Sequence, residues 1–571
     1  MLRIGVICLL VAIHVVAIRD KSPFRNRDCR VVSTEAGPVR GCETDNNVQF
    51  LGVPYAAPPI GPRRFKAPAR PFSWKGIYDA DRVVKCPQKG KGVEDCLVVN
   101  IFTPIRMLKA PLPVLVYIHG GSFLMGSGQV TGVDPLIEQN MIVVTVNYRL
   151  GALGFLCLGI EEAPGNAGLK DQVAALSWVQ RNIGNFGGDP NQVTVYGMSA
   201  GGASVEYLVL SKQTKGLFKR AIVESGSATS LWAADSNPIS TAYEVAKNLK
   251  FPVLNPHELV SYYQRVPANK LSKVNYEYYN NLTDGTFGFV PCVEKKLGDG
   301  SEAFITESAY NLLTKEKYNK VPMMFFFASV EGLFLRSSEL YEEGYKEKMT
   351  ANFQDFLPGD LVVETPEIRT KLAEIIKDFY FSNKTIGEDL MDYLNYFGDY
   401  MILHGLLNSA EKHSKCDNLV YLMEFAYKGN MGSYEKFYEN ISSAGHGDVI
   451  KHVILNRQPQ SKHDKLAVNR IAKIVANFVK YGNPIPEYSD ILPILWPVVR
   501  PGNGLGAFSA ETRDSMTCPG AAACWRWSAS PNSASIAGTS TVDGHSLSAA
   551  QYRSPPTTCT KGSMSPSTIK V

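Results

Sequence analysis

Beyond residue 17 the sequence has no apolar run long enough to cross a bilayer. It has no basic stripe either: 59 Lys and Arg stand against 54 Asp and Glu, and the net charge of +5 is dispersed along the chain. Dispersed charge of this kind marks a solvated surface and offers nucleic acid no footing. None of the 11 cysteines has metal-ligand spacing, so no metal and no other cofactor is expected. Histidine is scarce, with 9 in 571 residues, and any chemistry that needs an imidazole has few places to find one. No segment repeats.

What is present begins with a leader. Arg3 supplies a positive n-region, Ile4 to Val16 an apolar stretch, and Val15-Val16-Ala17 the small residues of a cleavage site. Residues 1–17 therefore read as a signal peptide, and the mature protein as secreted. Cys86 and Cys96 are close in sequence with Gly90 and Gly92 between them, the best-placed pair for a disulfide in that compartment; two free buried thiols is the other reading. Cys29, Cys42, Cys157, Cys292 and Cys416 are scattered, and nothing in their spacing assigns them. Asn281, Asn383 and Asn440 each begin a sequon that a secreted protein can glycosylate.

Val114–His119, Met141–Asn147, Val193–Tyr196 and Ala221–Glu224 are short β-rich apolar runs. Between the second and third, Leu169, Val173, Leu176, Val179 and Ile183 recur at helical spacing. Buried strands alternating with helices predict an α/β fold with a central, mostly parallel sheet flanked by helices. Further helices are expected over Phe304–Leu313, Pro366–Tyr380, Ile386–His413 and Lys465–Tyr481, and further strands over Arg30–Gly41, Asn47–Val53, Lys320–Phe327 and Asn418–Phe425. Residues 24–500 form one domain on this reading. Residues 501–571, dominated by Gly, Ser, Thr, Ala and Pro, are expected to be a low-complexity, disordered tail.

The chemistry centres on Gly197-Met198-Ser199-Ala200-Gly201. A strand precedes it and a small-residue helix start follows, the context in which a serine is presented as a nucleophile on a tight turn. A serine hydroxyl needs a base, a group to orient that base, and donors for the developing oxyanion. His119-Gly120-Gly121-Ser122-Phe123, a glycine-rich break after an earlier strand, offers the amides of Gly121 and Ser122, joined by that of Ala200. His446, in a loop of small residues, is favoured as the base over His452, His404 and His413, which have helical surroundings. Glu331 follows a strand and precedes Gly332, as an orienting acid would, although a surface turn residue could look the same.

Taken together, EDCLVVNIFTP at 94–104, HGGSF at 119–123, VNYRLGALGFL at 146–156, the block from Gly165 to Val205, ESGS at 224–227, FVPCVE at 289–294, SVEG at 329–332 and AGHGD at 444–448 resemble the type-B carboxylesterase/cholinesterase family, and insect secreted carboxylesterases in particular. The resemblance implies an α/β-hydrolase fold and a serine esterase. It implies a catalytic triad of Ser199, Glu331 and His446, oxyanion donors at Gly121, Ser122 and Ala200, a supporting serine at Ser225, and an acyl pocket lined by Trp232 and Phe287. It pairs Cys86 with Cys96, Arg64 with Glu94, and Arg149 with Asp171.

Departures from the family are informative. Its elbow usually reads GESAG, and Met198 removes that carboxylate. The juvenile-hormone-esterase type reads GQSAG, so Met198 also argues against that assignment. The Cys86–Cys96 loop is much shorter than the cholinesterase loop that carries a choline-binding tryptophan. The expected activity is hydrolysis of uncharged hydrophobic carboxylic esters, odorant or pheromone, xenobiotic or dietary, through an acyl-enzyme. The alternatives are a juvenile-hormone-type esterase, or a non-turnover scavenger or adhesion-type binding protein similar to neuroligins.

Overall fold

Val114, Val116 and Ile118 pack into one hydrophobic cluster, and Leu115 and Tyr117 into a second. That alternation of successive side chains is the period of two of a strand with a core on each face. In this computed structural model the described residues are 28–500, apart from 107–108, 252–254, 280–283, 299–301, 335–344, 383, 416–417, 433–440, 442, 455–456 and 494, together with the backbone of 506–511 and 524–529. Residues 1–17 and the sequon asparagines Asn281, Asn383 and Asn440 lie outside them.

The strands are β1 (Cys29–Ser33), β2 (Pro38–Glu43), β3 (Asn47–Pro54), β4 (Tyr78–Asp79), β5 (Val98–Pro104), β6 (Leu112–Ile118), β7 (Ile142–Val146), β8 (Gly188–Met198), β9 (Arg220–Glu224), β10 (Met323–Ala328), β11 (Val420–Phe425), β12 (Gly506–Glu511) and β13 (Cys524–Ala529). They form one sheet in the order β1-β2-β3-β5-β7-β6-β8-β9-β10-β11-β12-β13, with β4 beside β2. From β7 to β12 every neighbouring pair is parallel; β1, β2, β3 and β5 pair antiparallel at one end and β13 at the other. All of β7, β9 and β10 is buried. The helices Ala167–Asn182 and Ala200–Leu210 cover one face through Leu169, Leu176, Val179 and Val205, and Lys462–Tyr481 covers the other through Ile471, Ile474, Val475 and Phe478.

Several elements differ from their expected extents. The helix expected over Phe304–Leu313 is Ala309–Thr314, because Ser308 caps it by accepting the Asn311 amide. The one expected over Ile386–His413 is two, Leu390–Gly398 and His404–Ser414, joined by a π turn at Asp399–Leu403. Lys462–Tyr481 starts three residues before its expected position, where Ser461 and Asp464 close a capping box. Within 501–571, most of which is expected to be disordered, β12 continues the parallel register of β11 and β13 pairs with β12; the rest of that segment is outside the described residues. The open edge of β11 offers backbone donors and acceptors to a strand of weak sequence period.

Three disulfides are formed: Cys86–Cys96, Cys29–Cys42 and Cys157–Cys292. The second bridges facing residues of β1 and β2, and the third joins positions 135 apart in sequence. Among the described residues no helix is long and apolar enough to cross a membrane.

Candidate active site

Parallel strands place their carboxyl ends along one edge of the sheet, and the candidate residues collect there. Ser199 follows β8, Ser225 follows β9, and Glu331 follows β10 at the start of a 3-10 turn. Ser199 is held at φ 58° and ψ −124°, outside the regions open to most side chains, at a cost of roughly 1–3 kcal/mol. Its amide donates to the Glu224 carbonyl at 2.7 Å, and its carbonyl accepts the Ala203 amide at 3.0 Å. The turn closes only because its flanks lack side chains. A Cβ on Gly197 would overlap the Gly201 backbone, and one on Gly201 would overlap the Ile118 carbonyl.

Glu331 is fully buried and every partner is defined. Its Oε1 accepts from Ser225 Oγ and from the Ala328 amide, both at 2.7 Å, and its Oε2 meets His446 Nδ1 at 2.7 Å. With the carboxylate as acceptor, Nδ1 carries the proton, which leaves Nε2 as the basic nitrogen. The two segments meet because Val330, beside Glu331, forms a parallel bridge to Gly445, beside His446. Asp448 stiffens the histidine loop by accepting the Gly445 amide at 2.8 Å and pairing with Lys451 at 2.9 Å. Gly447 packs on Met198: a Cβ there would lie 2.7 Å from Met198 Cε. The histidine loop thus rests on the elbow. Ser199 and His446 are both partly exposed.

The loop after β6 faces the elbow. Gly121, Ser122 and Phe123 all have positive φ, at 111°, 55° and 58°. Among the described residues, no protein acceptor takes the amides of Gly121, Ser122 or Ala200. Gly121 and Ser122 are partly exposed. Trp232 is buried with its indole NH on the Met401 carbonyl at 2.6 Å, and its ring stacks on Phe287 at 5.6 Å. Phe123 lies 6.3 Å from the same indole, so this aromatic group adjoins the amide loop.

His119 was not singled out by the sequence beyond opening HGGSF, yet it braces this loop. Its ring stacks on Tyr148 at 4.4 Å and its Nδ1 meets the Gly120 carbonyl at 2.8 Å. Burial pushes its pKa down from 6.5 to about 4, so the ring is neutral and Nδ1–H donates. The folded state therefore resists a proton that the unfolded state accepts. The stability this confers is complete above pH 6.5 and is lost as pH falls toward 4, by about 3 kcal/mol. His119→Gln is expected to flatten the decline of Tm between those pH values; a decline as steep as in the parent would show that other groups cause it.

A model described as the carboxylesterase family matches residues 28–505. The chain is 35% identical over 478 residues to Esterase FE4 of Myzus persicae, covering 78% of this chain and 82% of that one. It is 33% identical over 507 residues to juvenile hormone esterase of Heliothis virescens, covering 82% and 88%. Among solved structures, juvenile hormone esterase from Manduca sexta with OTFP covalently attached aligns with a TM-score of 0.75 at 29% identity, covering 86% of this chain and 96% of that one.

Proposed function

This chain belongs to the carboxylesterase family and is a carboxylic-ester hydrolase with the α/β-hydrolase fold, and from that premise we propose that it is a secreted serine esterase acting on uncharged, hydrophobic esters through an acyl-enzyme. The observation that carries the mechanism is the buried Glu331 joined to His446 Nδ1 at the edge of the sheet where Ser199 sits on its strained turn. His446 Nε2 takes the proton of Ser199 as Oγ attacks the ester carbonyl. The amides of Gly121, Ser122 and Ala200 receive the oxyanion, each such donor worth about 3–4 kcal/mol in a water-poor site. The proton then passes from His446 to the leaving alcohol, and a water molecule repeats the sequence on the acyl-enzyme. Glu331 fixes the tautomer and stabilises the imidazolium as it forms. The Manduca sexta neighbour, with OTFP covalently attached, favours a covalent route.

Substrate class rests on two features. Trp232, Phe287 and Phe123 supply an apolar wall next to the amide loop. Met198 puts a thioether, not a carboxylate, beside the nucleophile and against Gly447. Volatile acetates and dietary or xenobiotic esters are the classes to screen first. Secretion is supported by the signal-like residues 1–17 and by the three disulfides. Glycosylation at Asn281, Asn383 and Asn440 would follow from it.

The test compares a choline ester with its neutral 3,3-dimethylbutyl isostere. The parent is expected to prefer the neutral ester. Met198→Glu is expected to move the ratio of kcat/KM toward the cation by roughly tenfold, or about 1.4 kcal/mol. An unchanged ratio would show that position 198 does not set charge preference.

A further inference from the structure

Glu224, the last residue of β9, is wholly buried and takes no part in the proton transfers above. It nevertheless touches every segment that carries a reacting group. Its carbonyl holds the Ser199 amide at 2.7 Å. Its neighbour Ser225 holds Glu331. Its carboxyl reaches across to the histidine segment, where Oε1 accepts the Ile450 amide at 3.1 Å, while Oε2 accepts from Tyr196 Oη at 2.5 Å. Tyr196 lies three residues before Ser199 on β8, and Ile450 four residues after His446.

We propose that Glu224 is a positioning residue for ester hydrolysis, setting the His446 segment against the Ser199 elbow through the Ile450 amide. The inference rests on the triad reading given above. A filler of the core would not need a carboxyl at this point. Burial, with Glu331 and Asp448 nearby adding repulsion, pushes its pKa up to about 8, against the pull of Tyr196 and Ile450, so an acid here is held at a cost in stability. What the carboxyl provides is reach and an acceptor. Without it the Ile450 amide loses its partner, and the loop keeps its hydrogen bonds to Ser329 and Val330 on the Glu331 side.

The test titrates active sites with an organophosphate and measures kcat per titrated site on a short-chain aryl ester. Labelling of the parent and its absence in Ser199→Ala check the triad reading first and separately. Glu224→Leu, which removes the acceptor, is expected to lower kcat per site by roughly 10- to 100-fold with KM within about twofold, the penalty of slight misplacement. Glu224→Gln keeps an oxygen for Ile450 and is expected to retain kcat within about threefold. If the leucine variant yields no titratable sites, Glu224→Asp, one methylene short of Ile450, is read in its place. Parent-like turnover per site in the shortened or apolar variant would overturn the proposal. So would a glutamine variant as slow as the leucine one, because an oxygen for the Ile450 amide would then not be what matters at this position.

Discussion

Ser199→Ala is expected to lower kcat on a short-chain aryl ester by roughly 10⁴- to 10⁶-fold while leaving Tm within a degree or two. The rate falls because the attacking oxygen is gone. The fold is expected to survive because, among the described residues, the turn is held by the backbone bonds of Ser199 to Glu224 and Ala203 and by no bond of its side chain. Alanine must still adopt the positive φ, a strain serine already bears. Some rate above water should persist, because the amides of Gly121, Ser122 and Ala200, proposed to receive the oxyanion, stay in place. A folded parent that turns over no faster than the variant would end the nucleophile assignment and bring forward a binding role for the fold. One equivalent of product followed by silence would instead mark a scavenger.

Asp171→Asn should be the most damaging isosteric change away from the reacting groups, destabilising the protein by roughly 3–5 kcal/mol. Arg149 and Asp171 are both buried and bidentate, with Nε–Oδ2 at 2.7 Å and Nη2–Oδ1 at 2.6 Å. Asp171 Oδ2 also accepts the Arg149 amide at 3.1 Å, so the pair fixes the start of the chain's return from β7 to the helix Ala167–Asn182. Arg149 Nη2 also donates to the carbonyls of Lys66 and Ala167, while its buried Nη1 has no partner among the described residues. Asparagine keeps the shape but leaves the guanidinium without a counter-charge in the core. For a chain of this length the loss amounts to a fall in Tm of about 2.5–4.5 °C, given roughly 2 cal/mol/K of unfolding entropy per residue. Arg149→Met/Asp171→Leu removes both charges and should be more stable than the single variant. A double variant no better than Asp171→Asn would show that the hydrogen bonds to backbone, and not charge balance, matter there.

The candidate site was legible in the sequence to the extent that its residues sit in short, chemically loaded motifs. Ser199 lay between a strand signal and a helix signal, and scarcity of histidine narrowed the base to a few candidates. Glu331 was less legible. A carboxylate after a strand has no distinctive neighbours, and its contacts with His446 and Ser225 come from segments more than 100 positions away. The parallel strands were readable because burial on both faces makes them apolar throughout, whereas β5, Val98–Pro104, went unnoticed as a strand because Asn100 and Thr103 interrupt its apolar run. The helices Pro238–Asn248, Pro256–Arg265 and Ala268–Tyr279 were also missed: each buries only a narrow stripe, so its apolar period is diluted by polar residues. Cys157 and Cys292 could not be paired from spacing, because their partnership is a product of the folded chain.

The glycines of the elbow carry a consequence for how this sequence can change over generations. Gly197 and Gly201 have no room for a single carbon, Ala200 is wholly enclosed, and Ser199 is proposed to do the chemistry. Positions 198 and 199 have their side chains partly exposed, and of the two only 198 carries no proposed chemistry. Mutational drift in the motif is therefore funnelled into one site, which packs against Gly447 of the histidine loop. Substitutions there change the surroundings of Ser199 and His446 without placing a side chain where the turn has no room for one.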